Sequence, residues 1–253
     1  MQKAILTFDL EFWYNSRFLR KYLPKDKSSL EDYIKESTGP ILNLLSQYNQ
    51  KATFFVLGQV AEKHPATIKR IFALGHEIAS HGYSHKVLNE MTPQEFEKEI
   101  TKTNQIIKKI IDQRPIGFRA PNFSLNYKTK WALKILKKHK FQYDSSISPW
   151  SISRIFNSSI TKMPSSWGGI YFRIIPLKLY LALVKYTSKT KLPILYFHPY
   201  ELFSSTSRIE SAPWLKRKIK YAGTKNALAK FEELLKKFNF ISIEKYLNEG
   251  FTN

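Results

Sequence analysis

The sequence predicts an α/β protein built on a parallel sheet, and three observations lead there. Short apolar strands alternate with amphipathic helical stretches along most of the 253 residues. The strands read as unbroken apolar runs, as strands covered on both faces do. Polar residues able to do chemistry (Asp9, His81, Arg119, Asp144 and His198) fall at or just beyond the C-terminal ends of those runs. Active sites of parallel α/β barrels are assembled at that end. Pattern alone leaves the sheet either open or closed into a barrel.

Taken in order, residues 4–8 form the first buried strand, and residues 19–35 are polar and lysine-rich, an irregular insertion. Ile41, Leu44, Leu45 and Tyr48 recur at helical spacing, so a helix is expected over 40–48. Residues 52–57 are a continuous apolar strand, and 65–74 a helix stopped by Gly75. A strand at 77–79 runs into the histidine segment. Thr92-Pro93-Gln94-Glu95 reads as a capping box with proline at the first helical position, opening a helix towards Ile111. Strands follow at 116–119, 141–144 and 194–197, with helices at 128–138 and 224–238. With no repeat or linker, the chain reads as a single domain over 1–253, with an insertion near 15–36 and a C-terminal helix at 224–238.

Composition narrows the classes. Hydrophobic residues make up 43% and there are 5 tryptophans, which excludes a disordered chain. There is no cysteine, which excludes disulfides and thiolate metal sites. No apolar run approaches the roughly 20 residues needed to span a bilayer, and the first residues show no secretory pattern. A cytoplasmic protein is expected, peripheral at the inner face of the membrane. The formal charge is +21, from 41 Lys+Arg against 20 Asp+Glu, which favours anionic partners or simply solubilises surface helices. No nucleic-acid-binding motif accompanies the charge, so no specific nucleic acid is expected.

The chemistry concentrates in Ser80-His81-Gly82-Tyr83-Ser84-His85 and in Thr7-Phe8-Asp9-Leu10-Glu11. Two imidazoles four apart, with a glycine between them to turn the backbone, can face one point. Side chains two apart on a strand share a face, so Asp9 and Glu11 point the same way and repel unless a cation intervenes. Either acid completes a three-ligand divalent metal site, leaving the other as general base. Arg119 is placed to hold a catalytic carboxylate, and His198, after the apolar strand 194–197, to act as a general acid.

These residues carry a resemblance. The segments 7–11, 52–58, 75–85, 118–122, 143–147 and 195–198 resemble, in order, the polysaccharide deacetylase family of carbohydrate esterases, over roughly residues 4–201. Gly168-Gly169-Ile170-Tyr171-Phe172-Arg173 and His198-Pro199-Tyr200-Glu201 resemble its exopolysaccharide-associated branch. The resemblance implies a distorted, seven-stranded TIM-like (β/α) barrel that removes an acyl group, usually acetyl, from a sugar. It implies Asp9 as base, His198 as acid, Arg119 as the residue positioning the base, and Asp144 in support. Glu11, His81 and His85 would hold a divalent metal: zinc, or alternatively cobalt or nickel. Many members have two adjacent aspartates where this chain has Asp9-Leu10, and Glu11 resembles the displaced ligand of the family's Asp-x-Asp/Glu branch. The backbone N–H of Asn122 would hold the oxyanion, with Pro121 and Tyr200 at the substrate.

The expected partner is a glycan, lipid-linked or nucleotide-linked, in surface polysaccharide synthesis. The basic surface and the apolar, lysine-bearing stretch 174–186 suit contact with anionic lipid. An amide hydrolase for a small non-sugar substrate and a catalytically silent glycan-binding module are the alternatives.

Overall fold

A computed structural model describes residues 1–16, 20–27, 29–147, 161–163, 167–189, 192–206 and 208–250. Its centre is an all-parallel sheet whose long first strand, β1 (Gln2–Leu10), takes partners on both edges. The path runs β6 (Thr161–Lys162), β5 (Tyr143–Asp144), β4 (Gly117–Phe118), β3 (Glu77–Ser80), β2 (Thr53–Val56), β1, β7 (Ile194–Phe197). An eighth strand, β8 (Phe238–Ile241), also pairs with β1. Thr7 pairs with both β2 and β7, and Ile5 with both β7 and β8, so β2 and β8 share one edge of β1 at different heights. Among the described residues no pairing joins β6 to β7, so the curled sheet stays open between them.

Alternation along β1 decides what each face holds. Ala4, Leu6, Phe8 and Leu10 join the larger core, where helices α1 (Ile34–Gln47) and α9 (Ala227–Leu235) cover the sheet. Phe8 stacks on Phe54 at 4.9 Å between centroids and meets Phe197 and Phe231 edge-on or tilted near 6 Å. Ile5 turns the other way, into the inner cluster with Phe55, Ala79, Tyr143 and Ile194. Thr7 and Asp9 share that inward direction, which brings Asp9 to the mouth at the C-terminal ends of the strands.

The helices between are α2 (Gly58–Lys63), α3 (Pro65–Ala73), α4 (Pro93–Ile111), α5 (Ala132–Lys138), α6 (Gly169–Ile174), α7 (Leu177–Thr187), α8 (Trp214–Tyr221) and α10 (Ile243–Asn248). The capping box of α4 forms as expected: Glu95 N–H donates to Thr92 Oγ1, and Thr92 N–H to Glu95 Oε2. Three expectations shift. The helix foreseen from Pro40 begins at Ile34, inside the foreseen insertion, of which residues 17–19 and 28 lie outside the described residues. The helix foreseen over 224–238 is shorter, since α9 ends at Leu235 and Phe238 opens β8, whose backbone pairs with β1. Among the described residues the sheet has eight strands, where the resemblance implied seven. No described helix is long and apolar enough to cross a membrane.

Candidate metal-centred active site

At the mouth, β1 delivers Asp9 and Glu11, the loop after β3 delivers His81 and His85, β4 ends in Arg119, and β7 ends in His198. The histidines sit on an irregular loop, not a helix. Gly82 turns it at φ +77° and His85 itself at φ +63°. Two neighbours pin that loop. Gly58 N–H and Gln59 N–H at the start of α2 donate to Gly82 and Tyr83 carbonyls. Glu99 on α4 accepts from Tyr83 N–H, Ser84 N–H and Ser84 Oγ at 2.6–2.9 Å.

Ligand atoms of Glu11, His81 and His85 lie within 4.8 Å of one another. His81 Nδ1 lies 2.8 Å from the Arg119 carbonyl, which can only accept. Its proton is therefore on Nδ1, and Nε2 turns a lone pair to the cluster. Glu11 Oε2 is buried, lacks a hydrogen-bond partner and lies against His85 Nε2, while Oε1 accepts from Tyr200 Oη at 3.1 Å. An orphaned carboxylate oxygen facing two imidazole nitrogens is a donor set suited to zinc or a similar divalent ion. The residues fit the metal that the resemblance implied, and the pairing geometry selects Glu11 over Asp9 as its carboxylate.

Asp9 is occupied otherwise. Arg119 Nη1 donates to Asp9 Oδ1 at 2.5 Å and to Thr7 Oγ1 at 3.0 Å, while Nη2 donates to Ser145 Oγ at 2.9 Å. The guanidinium is fully buried over the Phe55 ring. Removing either partner would strand a buried charge, at a cost of roughly 3–5 kcal/mol. Asp144 is buried beneath, bonded to Ser146 Oγ, and Ala120 N–H donates to that same hydroxyl at 2.7 Å. Asp144 thus bears on the Arg119–Ala120 backbone through Ser146.

His198 faces both acids from the opposite wall. Its Nε2 lies 3.5 Å from Glu11 Oε1 and 4.0 Å from Asp9 Oδ2. Its Nδ1 bonds Glu201 Oε2 at 2.9 Å, and Arg173 Nη2 holds the other Glu201 oxygen at 3.2 Å. Burial would lower the His198 pKa, but Glu201, then Glu11 and Asp9, outweigh it and raise it to about 9. Burial works against the Glu201 charge too, yet His198 and Arg173 hold its pKa at about 2. His81 moves the other way, lowered to about 4 by burial despite the nearby carboxylates, and so stays a neutral ligand.

Glu201, Arg173, Thr7, Ser145 and Glu99 carry roles that sequence reasoning did not assign. The i, i+3 spacing of His198 and Glu201 across a turn was the available signal. Gly168 and Gly169 are explained by the same assembly: a Cβ on Gly168 would collide with the Tyr196 ring, and one on Gly169 with the Glu201 carboxylate. Pro121 is buried beside the site. Asn122, at φ +53°, helps line a cavity of about 300 Å³ with His85, Ser84, Lys86 and Lys27.

Known proteins resemble this chain in sequence and in fold. Residues 22–143 match the polysaccharide deacetylase family model, and residues 136–248 match a domain of unknown function, DUF3473. A peptidoglycan-N-acetylglucosamine deacetylase of Bacillus cereus is 42% identical over 98 residues, 38% of this chain and 36% of that protein. The chain thus spans about a third of the length of the curated relatives it matches first. A Mycobacterium smegmatis structure described as a polysaccharide deacetylase superposes with a TM-score of 0.67 at 20% identity, covering 98% of this chain and 89% of that one. A Bacillus anthracis pseudoenzyme of carbohydrate esterase family four superposes at 0.57 and 17% identity, covering 97% and 65%. At such identities these structures establish the fold alone.

Proposed function

Because residues 22–143 match the polysaccharide deacetylase family model, we propose that this chain hydrolyses an N-acetyl or other acyl group from a sugar in a metal-dependent reaction. One observation carries the reading: His198 Nε2 stands 4.0 Å from Asp9 and 3.5 Å from Glu11, beside the Glu11–His81–His85 cluster. A base, an acid and a candidate metal position therefore converge at one mouth of the sheet.

A divalent metal on Glu11, His81 and His85 would polarise the acyl carbonyl and lower the pKa of a bound water. Asp9, fixed by Arg119, takes the proton of the attacking water as the new C–O bond forms. The Asn122 N–H steadies the charge that develops on the carbonyl oxygen. His198, kept protonated by Glu201, gives its Nε2 proton to the sugar nitrogen as the C–N bond breaks. Acetate and a free amino sugar leave. Arg119, Asp144 and Glu201 act by position, and Pro121 and Tyr200 shape the wall.

The proposed substrate is a lipid-linked or nucleotide-linked glycan precursor of a bacterial surface polysaccharide, met in the cytoplasm at the inner face of the membrane. The motifs at 168–173 and 198–201 support the exopolysaccharide assignment, and the basic surface supports the location. The test is acetate release from N-acetylated oligosaccharides by metal-stripped protein, before and after zinc, cobalt or nickel. Release restored by metal supports the reading. Glycan binding without release would favour a silent binding module.

A further inference from the structure

Exposed large apolar side chains are concentrated on three neighbouring helices. Of nine such residues among the described ones, seven lie on α6–α8. They are Tyr171 and Ile174 on α6, Leu179 and Tyr186 on α7, and Trp214, Leu215 and Ile219 on α8. No residue of α8 is buried, and Trp214 is 65% exposed. The helices are joined at their ends: Arg173 Nη1 donates to the carbonyls of Lys220 and Ala222, and the α6 backbone at Arg173 lies against Gly223.

The charge around these residues is predominantly positive. Residues 145–200 contain no aspartate or glutamate, and neither does α8, which carries Lys216, Arg217, Lys218 and Lys220. A cavity of about 480 Å³ beside Trp214 is lined also by Arg208, Arg217, Lys218 and Tyr221, and by Glu210, which pairs with Arg217, so its lining is net positive. Two such cationic faces repel each other, which argues against a second copy of this chain as the occupant. Leucine and isoleucine side chains have no use against a nucleic-acid backbone, whereas apolar residues rimmed by lysine suit a bilayer interface.

We infer that α6, α7 and α8 form a docking surface for an anionic lipid bilayer, with Trp214, Leu215 and Ile219 entering the headgroup region. The same surface adjoins the catalytic wall, since Arg173 reaches His198 through Glu201, and Lys220 lies 4.4 Å from the Tyr200 ring centre. Docking therefore sets the active-site mouth beside the membrane plane. The surface itself is independent of the chemistry; the lipid-linked substrate it implies rests on the deacetylase reading.

The test is co-sedimentation of the full chain with phosphatidylcholine vesicles and with vesicles containing about 30% phosphatidylglycerol, in 100 mM and 500 mM salt. Binding to the anionic vesicles is expected, weaker at high salt. Two triple variants, Trp214→Ser/Leu215→Ser/Ile219→Ser and Ile174→Ser/Leu179→Ser/Tyr186→Ser, should each lose at least tenfold in partitioning with unchanged circular dichroism. Tyr127→Ser, exposed elsewhere, and the catalytically disabled Asp9→Asn should bind as the parent does. Failure of the acetate assay would thus leave this result standing. No binding to anionic vesicles overturns the inference. So does binding that both triple variants retain, which is charge attraction that RNA would equally satisfy. A dimer dissolved by those same variants, seen in sedimentation velocity without vesicle binding, also overturns it.

Discussion

A buried glutamate opens β3 at the base of the sheet and another follows β1 at its mouth, and the two are treated in opposite ways. At the base, Glu77 accepts from Thr53 Oγ1 and Tyr143 Oη, each at 2.6 Å, and from Glu244 N–H at 2.9 Å. At the mouth, Glu11 leaves one oxygen without a hydrogen bond among imidazole nitrogens. Burial pushes the Glu77 pKa up to about 7, its hydrogen bonds only partly opposing that. Burial pushes Glu11 upward too, but His85, His198 and His81 hold it well below the usual carboxylate range. A satisfied buried acid is architecture. An acid with one oxygen free of hydrogen bonds among imidazole nitrogens suits a cation instead.

The largest effects should come from the mouth. Asp9→Asn and His198→Ala are each expected to lower kcat for acetate release by about 10³-fold, within the range for lost general base or acid catalysis. Equal loss in a Glu77→Gln variant that remains folded would erase the distinction between the two ends.

Next is the base, read through pH. Glu77 titrates at about 7 folded against 4.5 as a free side chain, so its contribution is complete below pH 4.5 and lost as pH rises through 7. Glu77→Gln removes that contribution. Urea unfolding of both proteins should show the parent's advantage growing by roughly 3 kcal/mol between pH 7.5 and 4.5. A constant difference across that window would mean that Glu77 is ionised in the fold.

A smaller effect separates holding from reacting. Glu201→Gln is expected to lower kcat about tenfold to hundredfold at pH 8, with substrate KM little changed. The parent's alkaline limb should fall near pH 9, as His198 loses its proton, and the variant's should fall at lower pH. Glu201→Asp should recover part of both. The smallest effect belongs to Tyr200→Phe, which removes the hydrogen bond to Glu11 Oε1. Zinc affinity by chelator competition should weaken by about tenfold.

The mouth was far more legible in the sequence than the base. Asp9, Glu11, His81 and His85 stand in short segments whose order and spacing mark them, and β1's alternation points both acids one way. The Arg119–Asp9 bond links positions 110 apart, so only the folded sheet reveals which acid Arg119 holds and hence which is left for the metal. Glu77 looked like the first residue of a strand, because its partners Thr53, Tyr143 and Glu244 come from three distant segments. β8 was hidden because no glycine or proline separates it from α9, so the helical period ran on through Phe238. The start of α1 was hidden for a related reason. Its N-cap, Tyr33, adopts a left-handed φ of +54° and makes no side-chain cap; Asp32, one residue earlier, accepts the Ile34 N–H instead, off the usual capping position.

The threefold pairing of β1 also has a consequence for how the protein is made. The trio Glu11, His81 and His85 needs only β1, β2 and β3, all within the first third of the chain. Completing β1 on its other edge needs β7, and filling the remaining stretch beside β2 needs β8, residues 238–241. At 5–20 residues per second, the ribosome delivers β8 roughly 12–50 s after β1. A nascent chain can thus gather Glu11, His81 and His85 while Lys3, Ala4 and Ile5 still wait for their strand partners. Early metal capture would tie down the strand most exposed to mispairing during that wait.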